Sequence, residues 1–159
     1  MKILFLDIDG VLNSMRTSVA FGGFPTKLDP MGAFDQAAIC MLQRLCDSSG
    51  VQIVLSSSWR ETHAFEAVGE AFGLPIIDRT PSLRGSRGQE IAAWLDANPE
   101  VQTWAILDDE MGMLDAQLPR FVQVDGDNGL MWCDYLKLCE IFDASPHGGE
   151  ARAGHLRTS

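Results

Sequence analysis

The stretch Lys2–Leu12 reads KILFLDIDGVL and carries the strongest structural signal in the chain. A near-continuous apolar run is typical of an interior parallel strand that is buried on both faces. Two carboxylates at the end of such a strand are costly unless they serve a purpose. The period of two places Asp7 and Asp9 on the same side, and Gly10 permits a sharp turn. Crowded carboxylates at this position predict a bound hard cation, a phosphate group or both.

The composition indicates one domain with a substantial core. The chain has 159 residues, of which 46% are hydrophobic and 21% charged, which is ordinary for a soluble globular protein. No apolar run approaches the roughly 18 residues that span a bilayer, and the N-terminus does not resemble a signal peptide. We therefore expect a cytoplasmic protein without membrane contact. The net charge of −10 disfavours non-specific binding to nucleic acid, and nothing in the sequence identifies a stable protein partner.

The four cysteines show neither CxxC spacing nor a nearby histidine cluster. They are Cys40, Cys46, Cys133 and Cys139, two in each of two predicted helices with apolar neighbours. The pattern favours buried free thiols over a zinc site or disulfides.

The remaining chain alternates between strand and helix patterns. Further strands are predicted at 51–55, 74–77, 103–107 and 121–124, and helices follow them, including a short one near 111–117 and a last one ending at about 142. Asp35 fits a helix N-cap, and the segment 86–89 has the form of a capping box. This alternation predicts an α/β fold with helices on both faces of a parallel sheet. The domain covers 1–143, and 144–159 has the composition of a disordered tail.

The segment 13–34 interrupts this alternation. It contains Gly22-Gly23, Pro25, Pro30 and Gly32 and shows no sustained period, so it predicts a long loop. A long loop directly after the acidic turn is typical of a lid or substrate flap.

Ligands of open α/β sheets bind at the C-terminal ends of the strands. The predicted strands bring four carboxylates and a serine cluster to that edge, and Arg87 arrives from the first turn of a helix. Carboxylates and a main-chain carbonyl suit Mg²⁺, whereas a hydroxyl and a guanidinium donate hydrogen bonds to phosphate oxygens. The residues are Asp7, Asp9, Asp108 and Asp109 for the cation, and Ser56, Ser57 and Arg87 for phosphate.

These residues resemble the four motifs of the haloacid dehalogenase-like (HAD) phosphotransferase superfamily. The stretch 4–12 is similar to the first motif, Ser56 to the second, 87–91 to the third and 106–109 to the acidic fourth. The resemblance extends over about residues 2–142 and implies a three-layer, Rossmann-like HAD fold without a large cap domain. The segments 54–60, 104–109 and 129–130 further resemble a HAD subgroup associated with RNA repair proteins.

The resemblance implies a role for each site residue. Asp7 is the nucleophile that forms an aspartyl-phosphate, and Asp9 is the proton shuttle whose main-chain carbonyl binds Mg²⁺. Asp109 contacts the metal directly, with Asp108 as an outer or second ligand. Arg87, where most members carry Lys, and Ser56 hold the transferring phosphoryl group. The substrate is then a phosphomonoester: a small molecule, a nucleotide or a nucleic-acid end.

Several alternatives remain at this point. Ser57 can replace Ser56 as the phosphate-binding hydroxyl, and Arg84 can replace Arg87. The protein can also be a phosphotransferase or phosphomutase, a catalytically inactive HAD-like module, or a receiver-like signalling module. Receivers, however, carry their acidic pair before the phosphorylated aspartate, whereas here the paired acids Asp108 and Asp109 come last.

Overall fold

A five-stranded parallel sheet forms the centre of the molecule. The computed structural model describes residues 1–29 and 31–147. The strands are β1 (Lys2–Leu6), β2 (Gln52–Leu55), β3 (Ile76–Arg79), β4 (Thr103–Asp108) and β5 (Phe121–Gln123). The helices are α1 (Met15–Phe21), α2 (Gln36–Ser49), α3 (Phe65–Phe72), α4 (Arg87–Ala97) and α5 (Trp132–Phe142). Short 3-10 turns cover Met31–Ala33, Ser58–Glu61 and Asp115–Arg120.

The strand order β3-β2-β1-β4-β5 places β1 in the middle. Leu6 lies opposite Leu55 of β2 on one side and Leu107 of β4 on the other. The chain winds away from β1 in one direction through β2 and β3, and in the other through β4 and β5. The order therefore reverses between β1 and β4, which is where open α/β sheets form their ligand crevice.

Alternate residues of β1 enter two separate hydrophobic layers. Leu4 and Leu6 belong to the layer that includes buried residues of α2, α3 and α5, among them Leu42, Val68 and Leu138. Ile3 and Phe5 belong to the opposite layer, with Ile91 and Trp94 of α4. The predicted three-layer α/β architecture is thus confirmed.

Two helix starts follow the predicted capping chemistry. Asp35 accepts hydrogen bonds from the main-chain N–H groups of Ala37 and Ala38 at the start of α2. Ser86 and Gln89 form a reciprocal capping box at the start of α4, with distances of 3.3 and 2.9 Å. These caps fix where each helix begins because they satisfy N–H groups that have no intrahelical partner.

The segment 13–34 contains more regular structure than predicted. Ser14 and Thr17 cap α1 reciprocally, and α1 ends at Gly22, whose φ of 85° lies in the left-handed region. The expectation of an irregular loop was wrong here because this capping box uses Thr rather than Glu or Gln. Within the described residues no additional domain separates the strands.

Two other element boundaries differ from the prediction. β3 begins two residues later than expected, because Pro75 precedes it and its first buried residue is Ile76. The helix expected at 111–117 is replaced by extended chain and a 3-10 turn at Asp115–Arg120. Gly112 has a φ of 122°, which breaks a helix, and its carbonyl accepts the Gly88 N–H of α4.

The cysteine prediction was half right. All four thiols are free, and Cys46 and Cys139 are buried, but Cys40 and Cys133 are exposed. Cys40 is not among the buried residues of α2, which include its sequence neighbours Ile39 and Leu42. Burial raises the pKa of Cys46 to about 12, as expected for a packed thiol.

The predicted tail begins with four residues that pack against the domain. Ala144 donates its N–H to the Cys139 carbonyl, and the Tyr135 hydroxyl donates to the Pro146 carbonyl. The rest of the predicted tail, 148–159, lies outside the described residues. In the part of the chain that the structure describes, no helix is long and apolar enough to cross a bilayer.

Candidate active site

Three carboxylates meet at the point where the strand order reverses. Asp7 directly follows β1, and Asp108 ends β4 beside it, with the Asp7 N–H donating to the Leu107 carbonyl. Asp109 follows in the turn. Carboxylate oxygens of all three residues lie within 4.8 Å of one another, so the group could hold a metal ion.

This proximity makes full ionisation of the cluster unfavourable. Burial, and then the charge of Asp108, raise the pKa of Asp7 to about 8, although Arg87, the Ile8 N–H and the Ser57 hydroxyl oppose the shift. Burial and Asp108 also raise the pKa of Asp109. The cluster therefore either retains protons at neutral pH or requires a cation.

Arg87 bridges two of these carboxylates. Its Nη1 lies 3.1 Å from Asp7 Oδ1 and 2.6 Å from Asp108 Oδ2. Burial lowers the pKa of Arg87, but attraction to the two carboxylates outweighs this effect and raises it. Arg84, the alternative cation, is exposed in the loop before α4, so the structure brings Arg87 to the site instead.

Asp9 lies at the cleft beside the cluster and is half-buried. Its Oδ1 accepts a hydrogen bond of 2.9 Å from Asn13 Nδ2, and the Gly10 N–H donates to Asn13 Oδ1 at 2.9 Å. Asn13 thus closes the acidic turn and orients Asp9. Gly10 has a φ of 83°, and a β-carbon there would lie 2.3 Å from Asp109 Oδ2.

The two candidate phosphate-binding serines have different surroundings. The Ser57 hydroxyl lies close enough to Asp7 to lower its pKa, and it also accepts the Trp59 N–H at 3.3 Å. The Ser56 hydroxyl is fully buried and has no hydrogen-bond partner among the described residues. Both serines remain predictions, and their contacts favour Ser57.

A cleft of about 340 Å³ opens above the cluster. Five carboxylates and one guanidinium line it, together with Met15 and Phe24 from the segment 13–34. The segment is held close, because the Met15 and Arg16 N–H groups donate to the Gly126 and Asp127 carbonyls, each at 3.1 Å. The carboxylates belong to Asp7, Asp9, Asp109, Glu110 and Asp127, and the guanidinium to Arg87.

Sequence reasoning missed four residues that shape the site: Asn13, Arg60, Glu90 and Gly126. Asn13 had a usable signal, since Asn four residues after Asp9 can bond back across a turn. A β-carbon at Gly126 would lie 2.8 Å from Asp109 Oδ2, so this glycine allows the Asp109 carboxylate to occupy its position. Arg60 and Glu90 are 30 positions apart, and no local pattern pairs them.

Comparison with known proteins identifies the family. Residues 3–134 match the family model described as the HAD domain in Swiss Army Knife RNA repair proteins. No curated protein and no solved structure matches the chain. The match covers most of the sequence, including all predicted site residues and every strand except the first residue of β1. The chain therefore belongs to the HAD superfamily and, within it, to the family of HAD domains of the Swiss Army Knife RNA repair proteins.

Proposed function

We propose that the protein is a Mg²⁺-dependent phosphomonoesterase that transfers the phosphoryl group of its substrate to Asp7. Membership of the HAD superfamily supports a phosphatase-type enzyme at the coarse level. The observation that carries the finer proposal is the buried carboxylate of Asp7, which lies between a guanidinium and two further carboxylates. A nucleophile, a phosphate-binding cation and metal ligands are the parts that phosphoryl transfer requires.

The donor set fits Mg²⁺. The three clustered side chains offer only carboxylate oxygens, which this hard cation prefers, and HAD proteins generally use it. Asp108 is already engaged, since Oδ2 contacts Arg87 and Oδ1 accepts the Glu110 N–H at 2.9 Å. We therefore assign direct metal contact to Asp7, Asp109 and the main-chain carbonyl of Asp9, with Asp108 as the outer ligand. The bound cation would supply positive charge to the substrate's phosphoryl oxygens.

The chain's own residues account for both half-reactions. A carboxylate oxygen of Asp7 attacks phosphorus, the bond from phosphorus to the ester oxygen breaks, and Asp9 donates a proton to that oxygen. Asp9 then takes a proton from water as the water oxygen attacks phosphorus. The bond from phosphorus to the Asp7 oxygen breaks, which releases inorganic phosphate and regenerates the Asp7 carboxylate. Asn13 engages Asp9 Oδ1, which leaves Oδ2 to carry the proton. Arg87 and a serine hydroxyl donate hydrogen bonds to the phosphoryl oxygens.

The lining of the cleft favours a particular leaving group. Met15 and Phe24 offer an apolar wall, and an aromatic ring can stack on a base. Glu110 and Asp127 repel a second phosphate group near the first. We therefore propose a terminal monophosphate on a nucleotide or nucleic-acid end as the substrate, with diphosphates and triphosphates as poor substrates.

Phosphate release from a substrate panel tests this function. The panel holds mononucleotides, nucleoside triphosphates, RNA and DNA with 3′- or 5′-phosphates, sugar phosphates and phosphopeptides, each assayed with Mg²⁺ and with EDTA. We expect Mg²⁺-dependent release from terminal monophosphates, and a phosphoryl group on the Asp7 peptide in acid-quenched samples. Release that persists in EDTA would contradict the metal requirement. Stable phosphorylation without turnover would identify a receiver-like module instead.

The two serines give a matched pair of variants. Ser57→Ala is expected to lower kcat by about 100-fold, the typical cost of losing one donor to transition-state charge. Ser56→Ala is expected to have a smaller effect, because its hydroxyl is buried away from any described partner. Steady-state kinetics and melting temperatures of both variants separate loss of catalysis from loss of folding. A larger loss of kcat for Ser56→Ala at equal stability would assign phosphate binding to Ser56.

A further inference from the structure

A buried ion pair connects two segments of the site. Arg60 Nη2 and Glu90 Oε2 are 2.7 Å apart, and the side chains are only 4% and 9% exposed. Arg60 lies in the 3-10 turn after the serine cluster, and Glu90 lies in α4. The pair is therefore separate from the carboxylate cluster but touches both elements that supply phosphate-binding groups.

On one side, the guanidinium of Arg60 holds the serine segment. Arg60 Nη1 donates to the Ser56 carbonyl at 3.0 Å and to the Ser57 carbonyl at 2.8 Å. Arg79 in turn donates to the Arg60 carbonyl at 2.7 Å. These bonds turn the chain back on itself directly after β2 and fix the main chain on which the serine hydroxyls are mounted.

On the other side, Glu90 holds the start of α4. It lies three residues after Arg87, so both side chains project from the same face of the helix. Glu90 Oε1 also accepts the Leu83 N–H at 2.9 Å, which ties down the loop that leads into α4. A shift of Glu90 therefore moves the helical turn that presents Arg87.

We infer that Arg60 and Glu90 are positioning residues that set the distance between the serine hydroxyl and the Arg87 guanidinium. This inference concerns the site of the proposed function and rests on it. Burying two charges is expensive, and an apolar pair of similar volume often serves stability equally well. The hydrogen bonds of this pair join it to the main chain of the serine segment and to the loop that leads into α4. Bonds to these two segments are what a role in positioning them requires. Neither side chain lines the cleft above the carboxylate cluster.

Loss of positioning has a kinetic signature. Donors to the phosphoryl oxygens act most strongly in the transition state, so displacing them lowers kcat while KM changes little. An error of about 1 Å can cost about 100-fold in rate. Orthovanadate imitates the five-coordinate transition state, whereas inorganic phosphate imitates the product. The ratio of their affinities therefore measures positioning even without turnover.

The test compares variants of the full chain. Glu90→Gln breaks the pair at constant shape, and the double variant Arg60→Met with Glu90→Met replaces both charges by apolar groups, which protects the fold if the single variant is unstable. Arg60→Lys keeps the charge but loses the planar guanidinium with its several hydrogen-bond donors, so we expect an intermediate loss of kcat. Trp94→Phe is the matched control, because it removes a different α4 hydrogen bond, the one of 2.8 Å to Asp78 Oδ2.

We expect the double variant to fold, to lose about 100-fold in kcat with little change in KM, and to lose vanadate affinity but not phosphate affinity. Trp94→Phe should keep the wild-type kcat and the wild-type affinity ratio. An unchanged ratio in the double variant would overturn the inference, as would an equal loss in Trp94→Phe. Absence of turnover in the wild-type protein would refute the proposed function alone, because the affinity ratio still tests the pair.

Discussion

We expect Asp7→Asn to abolish the proposed phosphate release and to stabilise the metal-free protein. The amide cannot act as the nucleophile, and loss of a nucleophile typically lowers kcat by roughly 10⁴-fold or more. The same change removes a carboxylate that burial and Asp108 make difficult to ionise. Function and stability are thus expected to change in opposite directions.

The stabilisation depends on pH with a definite sign. The pKa of Asp7 is about 8 in the folded protein and 3.8 in its ordinary range. The folded state therefore binds more protons between these values, and stability falls as pH rises from about 4 to about 8. The destabilisation caused by ionising Asp7 is absent below a pH of 3.8 and complete above a pH of about 8. At pH 8.5 we expect Asp7→Asn to gain at least about 2 kcal/mol, or roughly 4–8 °C in melting temperature.

Thermal unfolding in EDTA from pH 4.5 to 8.5 measures this difference. The difference in melting temperature between Asp7→Asn and the wild type should increase as the pH rises. Asp96→Asn, an exposed change on α4, should show no such trend. Mg²⁺ should raise the melting temperature of the wild type most at high pH, because the cation takes the place of the proton. A pH-independent gap would show that Asp7 ionises normally in the folded state.

For Gly10→Ala, the second change, we expect a loss of Mg²⁺ affinity of about 100-fold. The new β-carbon would lie 2.3 Å from Oδ2 and 2.4 Å from Cγ of Asp109, so that carboxylate must leave its position. The residue also has a φ of 83°, which strains any residue with a β-carbon.

Variants of two other glycines distinguish the effect of the steric clash with Asp109 from the effect of backbone strain. Gly22 has a φ of 85°, and a β-carbon there would meet no atom within 4 Å, so Gly22→Ala carries the backbone strain alone. Gly126→Ala would place its β-carbon 2.8 Å from Asp109 Oδ2 without a left-handed φ, so it carries the clash alone. Calorimetric titration with Mg²⁺ should therefore show weak binding in Gly10→Ala and Gly126→Ala and normal binding in Gly22→Ala. Normal affinity in Gly126→Ala would remove Asp109 from the set of metal ligands.

The sequence was most informative where the physics is local. The apolar runs that became β1, β2 and β4 and the caps at Asp35 and Ser86 depend only on neighbouring residues, and these predictions agree with the structure. The clustering of the carboxylates could be predicted because the C-terminal ends of parallel strands lie at the same edge of the sheet. The helix α1 was missed because glycines and prolines surround it and because its capping box, Ser14 with Thr17, lacks the usual Glu or Gln.

What the sequence could not provide is contact between distant segments. Arg60 and Glu90 form their ion pair only once β2, β3 and α4 have packed together. The exposure of Cys40 depends on which side of α2 packs against the sheet. The choice between Ser56 and Ser57 likewise depends on which hydroxyl faces Asp7 after the turn has formed. These contacts and exposures are determined by tertiary packing, which the local pattern of hydrophobic residues does not specify.

The bonds between the acidic turn and the segment 125–130 bear on biosynthesis. Leu130 donates its N–H to the Val11 carbonyl at 2.9 Å, and Gly126 accepts the Met15 N–H, so nearly the last residues of the domain complete a turn made by the first. A nascent chain that ends before β5 has every proposed catalytic side chain but lacks the strand and turn that close the site. The proposed site should therefore be complete only when almost the whole domain has left the ribosome.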